Sequence, residues 1–449
     1  MAIAQEPVAE QSIGRTEARY RARTPKSRAA FERNQVAVPG GVPGGLGVML
    51  PYPLYIERAQ GCHVWDADGH RLVDLLNGDW VFPLGHGNPK INAAITAQLQ
   101  KGITFCQPEP DLQYALSQLI QERIPSMERM RFTTSGTEAT MMALRVGRAF
   151  TGRPKIAKIM GGYHGTHDAS VIANGRYTDP TFVPRGLIPG TKESVVLLPY
   201  NQPDECERII RAEAEELGAV IVEPMLGGSG MIPATKEYLE RLRRVTSDCG
   251  VVLIFDEVVT CTLGPHGAQG RMGVIPDLTT MGKALGGGLP LGAFGGRSDI
   301  MDLVDSALYP FDRPVRHAST VGGIPICLAA GVAQLEQLTP EVHAHIEALG
   351  EQVRTGVGAL ATRLGVPLQA TGLGQFFGLH WTSVPVVDID TAFTSDSEII
   401  GRIALGLCNE GYLCFYFNVM GVLSLPMTSE DIEGFLQALE ATLKENDLC

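Results

Sequence analysis

The 449-residue sequence predicts an α/β fold in which a mainly parallel central sheet is covered by helices and a smaller α+β unit is assembled from both chain ends. Three observations lead there. Between about residues 111 and 333, short apolar runs alternate with helical stretches, the sequence form of a parallel sheet buried on both faces. Upstream, "YIERAQGCHVWDADGHRLVDLLNG" alternates apolar with polar residues and turns at "DADG", as an antiparallel hairpin does. Downstream, an amphipathic helical pattern around "AHIEALGEQVRTGVGALATRLG" is followed by strand-like pieces such as "GVLSLP" and by a closing helix from Ser429.

In chain order, residues 1–34 mix Glu, Arg and Gln without an apolar segment and read as an arm or a partner-gripping helix. Residues 35–100 supply the first part of the smaller domain, 101–335 the large domain, and 336–449 the remainder of the smaller one. The expected strands of the large domain are "KIAKIM", "SVVLLPY", "AVIVEPM", "VVLIFDEV" and "LGAFGG". A net charge of −12 leaves no broad positive surface, so nucleic acid is not an expected partner. Nowhere do about eighteen apolar residues follow one another, so membrane spanning is not expected either. The nine cysteines are scattered and contain no C-x-x-C pair, which fits a reduced, cytoplasmic protein without a zinc site. "HAH" at His343 to His345 has metal-like spacing, but without companion ligands at an expected helix start it reads as solvated surface, and no metal is expected.

Four pieces carry chemistry. In "LIFDEVVT", Asp256 closes an apolar run, and in "AVIVEPM" Glu223 does the same; in an open parallel sheet, ligands sit at the carboxyl ends of the strands. Either acid alone can equally be a turn former or helix cap. Lys283 in "MGKALGGG" has small neighbours that let a bound molecule approach the backbone. Ser135, Gly136 and Thr137 precede a helical run and offer the N–H groups and hydroxyls of a phosphate seat, or an ordinary N-cap with Glu138 in the first turn. "GGYHGTHD" presents Tyr163 and His164 in a glycine-flanked loop, where they could stack on a flat ring or serve as a core tyrosine and a surface histidine. Together the pieces describe a holder for pyridoxal 5'-phosphate, with Lys283 forming a Schiff base, Asp256 pairing with the ring nitrogen and the helix start gripping the phosphate. A carboxylate at that nitrogen favours the pyridinium, which withdraws electrons when a substrate Cα–H bond breaks.

"FTTSGTEATMMALRVGRAFTGRPKI", "GGYHGTHD", "VIVEPMLGGSGMIP", "LIFDEVVT", "PDLTTMGKALGGGLPLGAFGGR" and "HASTVGGIPICLAAG" resemble the successive motifs of class III pyridoxal-phosphate aminotransferases. Their wording is most similar to glutamate-1-semialdehyde 2,1-aminomutases and β-amino-acid (β-phenylalanine) aminotransferases, over roughly residues 35 to 445. The resemblance implies fold type I and a homodimer with the cofactor at the subunit interface. Under it, Lys283 resembles the Schiff-base lysine, Asp256 the ring-nitrogen partner, Val258 and Tyr163 the residues on the two ring faces, and Ser135, Gly136 and Thr137 the phosphate cup. His164 belongs with the cofactor-binding loop, and Glu223 resembles the acid on the substrate side of the ring. Thr320 is similar to the threonine that reaches the phosphate of the neighbouring subunit's cofactor.

Departures concern the substrate. Relatives clamp a substrate carboxylate with arginine, a bidentate donor. Here no arginine follows Arg402; Asn418 stands about where the β-amino-acid enzymes place theirs, and Gly44 where they offer a second. Arg313 and Arg316 are alternative cations, or the donors are amines lacking a carboxylate. Trp80, Phe82, Phe415, Tyr416 and Phe417 could line such a pocket or simply pack. The expected function is a ping-pong transfer of an amino group between an amine or amino acid and an oxo acceptor, with an intramolecular aminomutase as the alternative. A catalytically silent protein of the same fold is the reading from another class, and the retained Lys283, Asp256 and phosphate seat argue against it.

Overall fold

All five apolar runs form strands: Lys155–Ile159, Val195–Leu198, Leu217–Val222, Val252–Asp256 and Gly292–Gly296. They belong to a computed structural model that describes residues 14–44, 51–105, 107–174, 184–308, 315–416 and 419–449; Arg313, Phe417 and Asn418 lie outside the described residues. Two further strands, Arg129–Thr133 and Leu278–Met281, complete a seven-stranded sheet. Its spatial order is Arg129–Thr133, Gly292–Gly296, Leu278–Met281, Val252–Asp256, Leu217–Val222, Lys155–Ile159, Val195–Leu198. Neighbours pair in parallel except Gly292–Gly296, which is antiparallel to both strands beside it. The connection 282–291 explains the reversal, being shorter than the dozen or so residues a parallel crossover requires.

Alternate residues of each central strand feed opposite faces of the sheet. Val252 and Ile254 pack with Ala139, Met142, Ala143 and Val146 of the helix Gly136–Thr151. Leu253 and Phe255 pack with Tyr238, Leu239, Leu242 and Val245 of the helix Lys236–Asp248 on the other side. Burial on both faces makes these strands continuous apolar runs, and it delivers their carboxyl ends to the open edge where loops leave the core.

The hairpin at residues 56–74 is three antiparallel strands, Ile56–Gln60, His63–Asp66 and Arg71–Asp74, joined in parallel by Tyr412–Leu413 from the far end of the chain. A second small sheet combines Leu368–Thr371, Phe376–Trp381 and Gly421–Val422. One core cluster binds both ends together, including Leu75, Val353, Phe377, Ile403 and Phe435. The helix Pro89–Lys101 sits elsewhere: Leu84 and Ile91 pack with Leu116, Leu285 and Leu328, so the boundary expected at residue 100 falls inside that core.

Two sequence expectations change. The described part of the amino-terminal arm forms helices Arg15–Arg23 and Pro25–Asn34 that dock on their own chain. Tyr20 is fully buried and donates to the Tyr52 carbonyl at 2.8 Å, while Asn409 Nδ2 donates to the Thr16 carbonyl at 2.9 Å. His343 is buried on the helix Pro340–Leu364 instead of solvated, because the amphipathic face of that helix begins in its first turn. Among the described residues no helix is long and apolar enough to cross a membrane.

Phe435 has no exposed surface and packs its ring 5.5 Å from that of Phe377. Phe435→Ala should lower unfolding stability by about 3–5 kcal/mol, read from urea denaturation, by opening a cavity in the core that joins the two chain ends.

Candidate active site

Asp256 ends its strand at the carboxyl edge of the sheet and is almost completely buried. Its neighbours supply three hydrogen bonds: Thr280 Oγ1 donates to Oδ1 at 3.0 Å, the Val258 N–H to Oδ1 at 3.1 Å, and His164 Nδ1 lies 2.7 Å from Oδ2. Burial holds the His164 imidazolium below its usual pKa, so the ring is neutral and donates through Nδ1. Thr280 sits in the strand Leu278–Met281, whose "LTTM" reads poorly as a strand because its threonines serve neighbouring polar groups. The next residue, Glu257, points the other way. Its buried carboxylate takes the Ala268 N–H at 2.6 Å and the Gln269 N–H at 3.1 Å, anchoring the helix Gly267–Met272, and burial pushes it up to about 7.

The helix Gly136–Thr151 starts beside Asp256. Ser135 is its N-cap, accepting the Glu138 N–H at 3.2 Å, while the Glu138 carboxylate reaches back to the Thr134 N–H at 2.8 Å. The ordinary N-cap is therefore present, and because capping uses one first-turn amide it does not by itself consume the others that an anion seat would need. Close contacts set the spacing. A Cβ on Gly136 would come within 2.8 Å of Val258, and one on Gly165 within 2.3 Å of Thr137 Oγ1.

Tyr163 and His164 occupy a loop that a buried lysine organises. Lys158, within the strand Lys155–Ile159, donates to the carbonyls of Gly162 at 3.0 Å, Ser170 at 2.7 Å and Ile172 at 2.7 Å. Three acceptors match the three N–H bonds of an ammonium, although burial pushes this amine down to about 7. The signal for it was Lys158, set between apolar residues in the interior of that strand. Glu223 accepts the Tyr163 N–H at 2.7 Å and the Gly227 N–H at 3.1 Å; burial first, then the charge of Asp256, push its carboxyl up to about 8.

Lys283 projects into the same space from a backbone at φ +48°. Its Nζ lies 2.9 Å from Asp79 Oδ2, donates to the Asp79 carbonyl at 3.1 Å, and stands 4.6 Å from the centre of the Trp80 ring. Asp79 comes from a turn that sequence reading missed: Asn77, Gly78, Asp79 and Trp80 all have positive φ, a single left-handed turn. Asn, Gly and Asp tolerate that conformation, but at Trp80 it costs about 1–3 kcal/mol. The surroundings hold it there. Asn77 Nδ2 donates to the Val422 carbonyl at 2.9 Å, the Trp80 N–H to the Leu76 carbonyl at 2.7 Å, and the Trp80 indole packs with Met225, Phe376 and Met420. The only sequence signal was an "NGD" triplet inside an apolar stretch.

These groups line one cavity of about 770 Å³. It brings together Lys283, Asp256, Glu223, Ser135, Gly136, Thr137, Tyr163, His164, Val258, Trp80 and Phe415. Four sequence candidates among the described residues stand outside its wall. Phe82 is wedged between Gly78 and Gly288, whose missing side chains make room for it, with its ring tilted against that of His86 at 4.6 Å. Tyr416 packs toward Gly401 and the small-unit core. Thr320 is exposed, as is Arg316. Away from the cavity, Cys62, His63 and Asp431 place three possible ligand atoms within 4.8 Å of one another, but the Asp431 carboxylate already accepts from the Thr428 N–H at 2.8 Å.

A lysine amine and a buried carboxylate facing one cavity beside a helix start, at the carboxyl edge of a mainly parallel sheet, define a site of the aminotransferase kind. A family model described as Aminotransferase class-III matches residues 48–443, and the chain belongs to that family, with the fold type I architecture of pyridoxal-phosphate-dependent transferases. The β-phenylalanine transaminase of Variovorax paradoxus is 36% identical over 433 residues, 96% of this chain and 95% of that protein. Glutamate-1-semialdehyde 2,1-aminomutase 2 of Bacillus licheniformis is 36% identical over 424 residues, 92% of this chain and 96% of that one. A solved transaminase with PLP bound superposes with a TM-score of 0.86 at 33% identity, covering 94% of this chain and 97% of the other.

The Glu223 proton has a consequence for stability. Its folded pKa, about 8, lies above the usual carboxyl value of 4.5, so the folded protein holds a proton that the unfolded chain has lost. The stabilisation is complete below about pH 4.5 and disappears as pH rises through about 8. The thermal midpoint of the cofactor-free protein should therefore fall between these limits, and less steeply in Glu223→Gln.

Proposed function

We propose that this class-III aminotransferase holds pyridoxal 5'-phosphate in the 770 Å³ cavity and moves an amino group between an amine or amino acid donor and an oxo acceptor by a ping-pong route. One observation carries this reading: the Lys283 amine and the Asp256 carboxylate share the cavity with the start of the helix Gly136–Thr151. The residues present fit the cofactor. Gly136, where a Cβ would strike Val258, leaves the backbone bare at the phosphate seat, and the cavity has the size of a small-molecule site. When bound, the cofactor supplies a cationic ring that withdraws electrons from a substrate carbon and a carbon that carries the amino group between the two substrates.

The chain's own residues do the rest. Ser135, Gly136 and Thr137 hold the phosphate with first-turn N–H groups and hydroxyls. Val258 and Tyr163 bound the two ring faces. Asp256, aligned by His164 and Thr280, presents a carboxylate to the ring nitrogen in a buried setting where charge pairing is strong. Lys283 Nζ takes the proton from the substrate Cα as general base and returns it as general acid. Glu223 keeps a proton at the substrate side of the ring.

The wider reading is a cytoplasmic homodimer. Free thiols at the eight described cysteines support the first part, and the exposed position of Thr320, outside its own cavity, supports a reach to a partner's cofactor phosphate. We assign residues 101–335 to cofactor binding together with the helix Pro89–Lys101 that packs in their core, and the earlier part of 35–100 with 336–449 to the smaller domain, supported by the core shared between chain ends. Among the described lining residues there is no arginine, which favours transfer between two substrates over rearrangement of a carboxylate-bearing semialdehyde.

Reconstituted protein should be yellow, lose its visible absorption with borohydride, and change its spectrum when an amine is added without acceptor; a colourless, unresponsive protein contradicts the proposal. Lys283→Ala should abolish turnover while retaining non-covalent cofactor binding. Asp256→Asn should slow the donor half-reaction by roughly 10²–10⁴-fold or more, measured by stopped-flow absorbance.

A further inference from the structure

The turn that holds Asp79 is the strained part of the cavity wall that the reaction above leaves unused. Four consecutive residues with positive φ are fixed by the Asn77 side chain, by backbone hydrogen bonds and by Phe82 wedged against Gly78, and they aim one carboxylate at Lys283 Nζ, 2.9 Å away. Strain persisting where the surroundings over-determine it points to function.

Resting on the cofactor reading above, the geometry points to a second use of this carboxylate: we propose that Asp79 is the docking residue for the amino donor. It holds the Lys283 ammonium while that lysine is free, takes the ammonium of an incoming donor once Lys283 is linked, and favours amines without a carboxylate over zwitterionic amino acids. Linkage condenses Nζ with the cofactor aldehyde: a C=N bond forms, the carbonyl oxygen leaves as water, and the nitrogen keeps at most one N–H where the ammonium had three. Asp79 then lacks its donor. Its carboxylate is half exposed, so a cation arriving from solvent reaches it directly. The ionisable residues of the described wall are Asp79, Tyr163, His164, Glu223, Asp256 and Lys283, which supplies the single cation. A donor carboxylate there meets like charge and, among the described wall residues, no arginine, while Trp80, Val81, Phe415 and Met420 offer apolar surface for the hydrocarbon part.

Asp79→Asn is the informative change, because asparagine tolerates φ +68° as aspartate does and removes the charge alone. The donor half-reaction is followed by visible absorbance with 1-phenylethylamine and with β-phenylalanine, which share the aminated benzylic carbon and differ in the carboxylate. Wild type should favour 1-phenylethylamine, and Asp79→Asn should lower the ratio of specificity constants, amine over zwitterion, by about tenfold or more. Asp79→Glu should keep most of the preference. Without activity as readout, apo-protein carrying Asp79→Asn should take up the anionic cofactor faster at low salt. If Asp79→Asn fails to fold, salt provides the test in wild type: the 1-phenylethylamine half-saturation concentration should rise with ionic strength. An unchanged ratio overturns the proposal, as does an equal loss for both donors with slower cofactor uptake, which would make Asp79 a holder of Lys283 only. A wild type that shows no borohydride-sensitive absorption overturns the cofactor reading itself, whereas a responsive wild type with an indifferent Asp79→Asn overturns this inference alone.

Discussion

A carboxylate buried at the end of a parallel strand must be matched by donors, and much of the site follows from how Asp256 is matched. His164, Thr280 and the Val258 N–H surround it at 2.7–3.1 Å. Each comes from a different segment, so the loop after Lys155–Ile159, the strand Leu278–Met281 and the turn after Val252–Asp256 are tied to one point. Thr280 is three residues ahead of Lys283, which relates the carboxylate to the amine through a short stretch of backbone. Removing charge or donors at this point would leave unpaired polar groups in a dry environment, so the network tolerates little change.

The rest of the wall is set by contacts that have no room for a side chain. Gly136 against Val258, Gly165 against Thr137 and Phe82 between Gly78 and Gly288 bring the helix start, the Tyr163 loop and the left-handed turn to fixed separations. Lys158 adds an internal clamp with three carbonyls. Acids then differ by surroundings: Glu223, buried with two N–H donors, keeps its proton to about 8, while Asp79 remains half exposed and paired with Lys283. One cavity thus presents carboxyl groups in different surroundings to different parts of a ligand.

Much of this was legible because the cavity is built from strand ends and a helix start. Apolar runs closing on Asp256 and Glu223, and the small residues before Gly136–Thr151, mark positions that topology forces to the open edge of the sheet. What escaped was organised by tertiary contact. Leu278–Met281 hides its strand character behind threonines that bond sideways, and Arg129–Thr133 alternates arginines at a sheet edge. The left-handed turn at Asn77–Trp80 depends on Val422 from the far end of the chain, and Phe82 turns to two glycines instead of the cavity for reasons only packing reveals. The amino-terminal helices, polar in composition, are held by buried Tyr20 with its bond to Tyr52 and by Asn409 on the Thr16 carbonyl.

The central claim is that Lys283 and Asp256 hold opposite ends of one ring. A crystal structure of the protein soaked with pyridoxal 5'-phosphate tests it most directly. Continuous density from Lys283 Nζ into the ring, with the ring nitrogen at hydrogen-bond distance from Asp256 and the phosphate at residues 135–137, is the predicted result. A ring seated elsewhere, or one whose nitrogen faces away from Asp256, would contradict it.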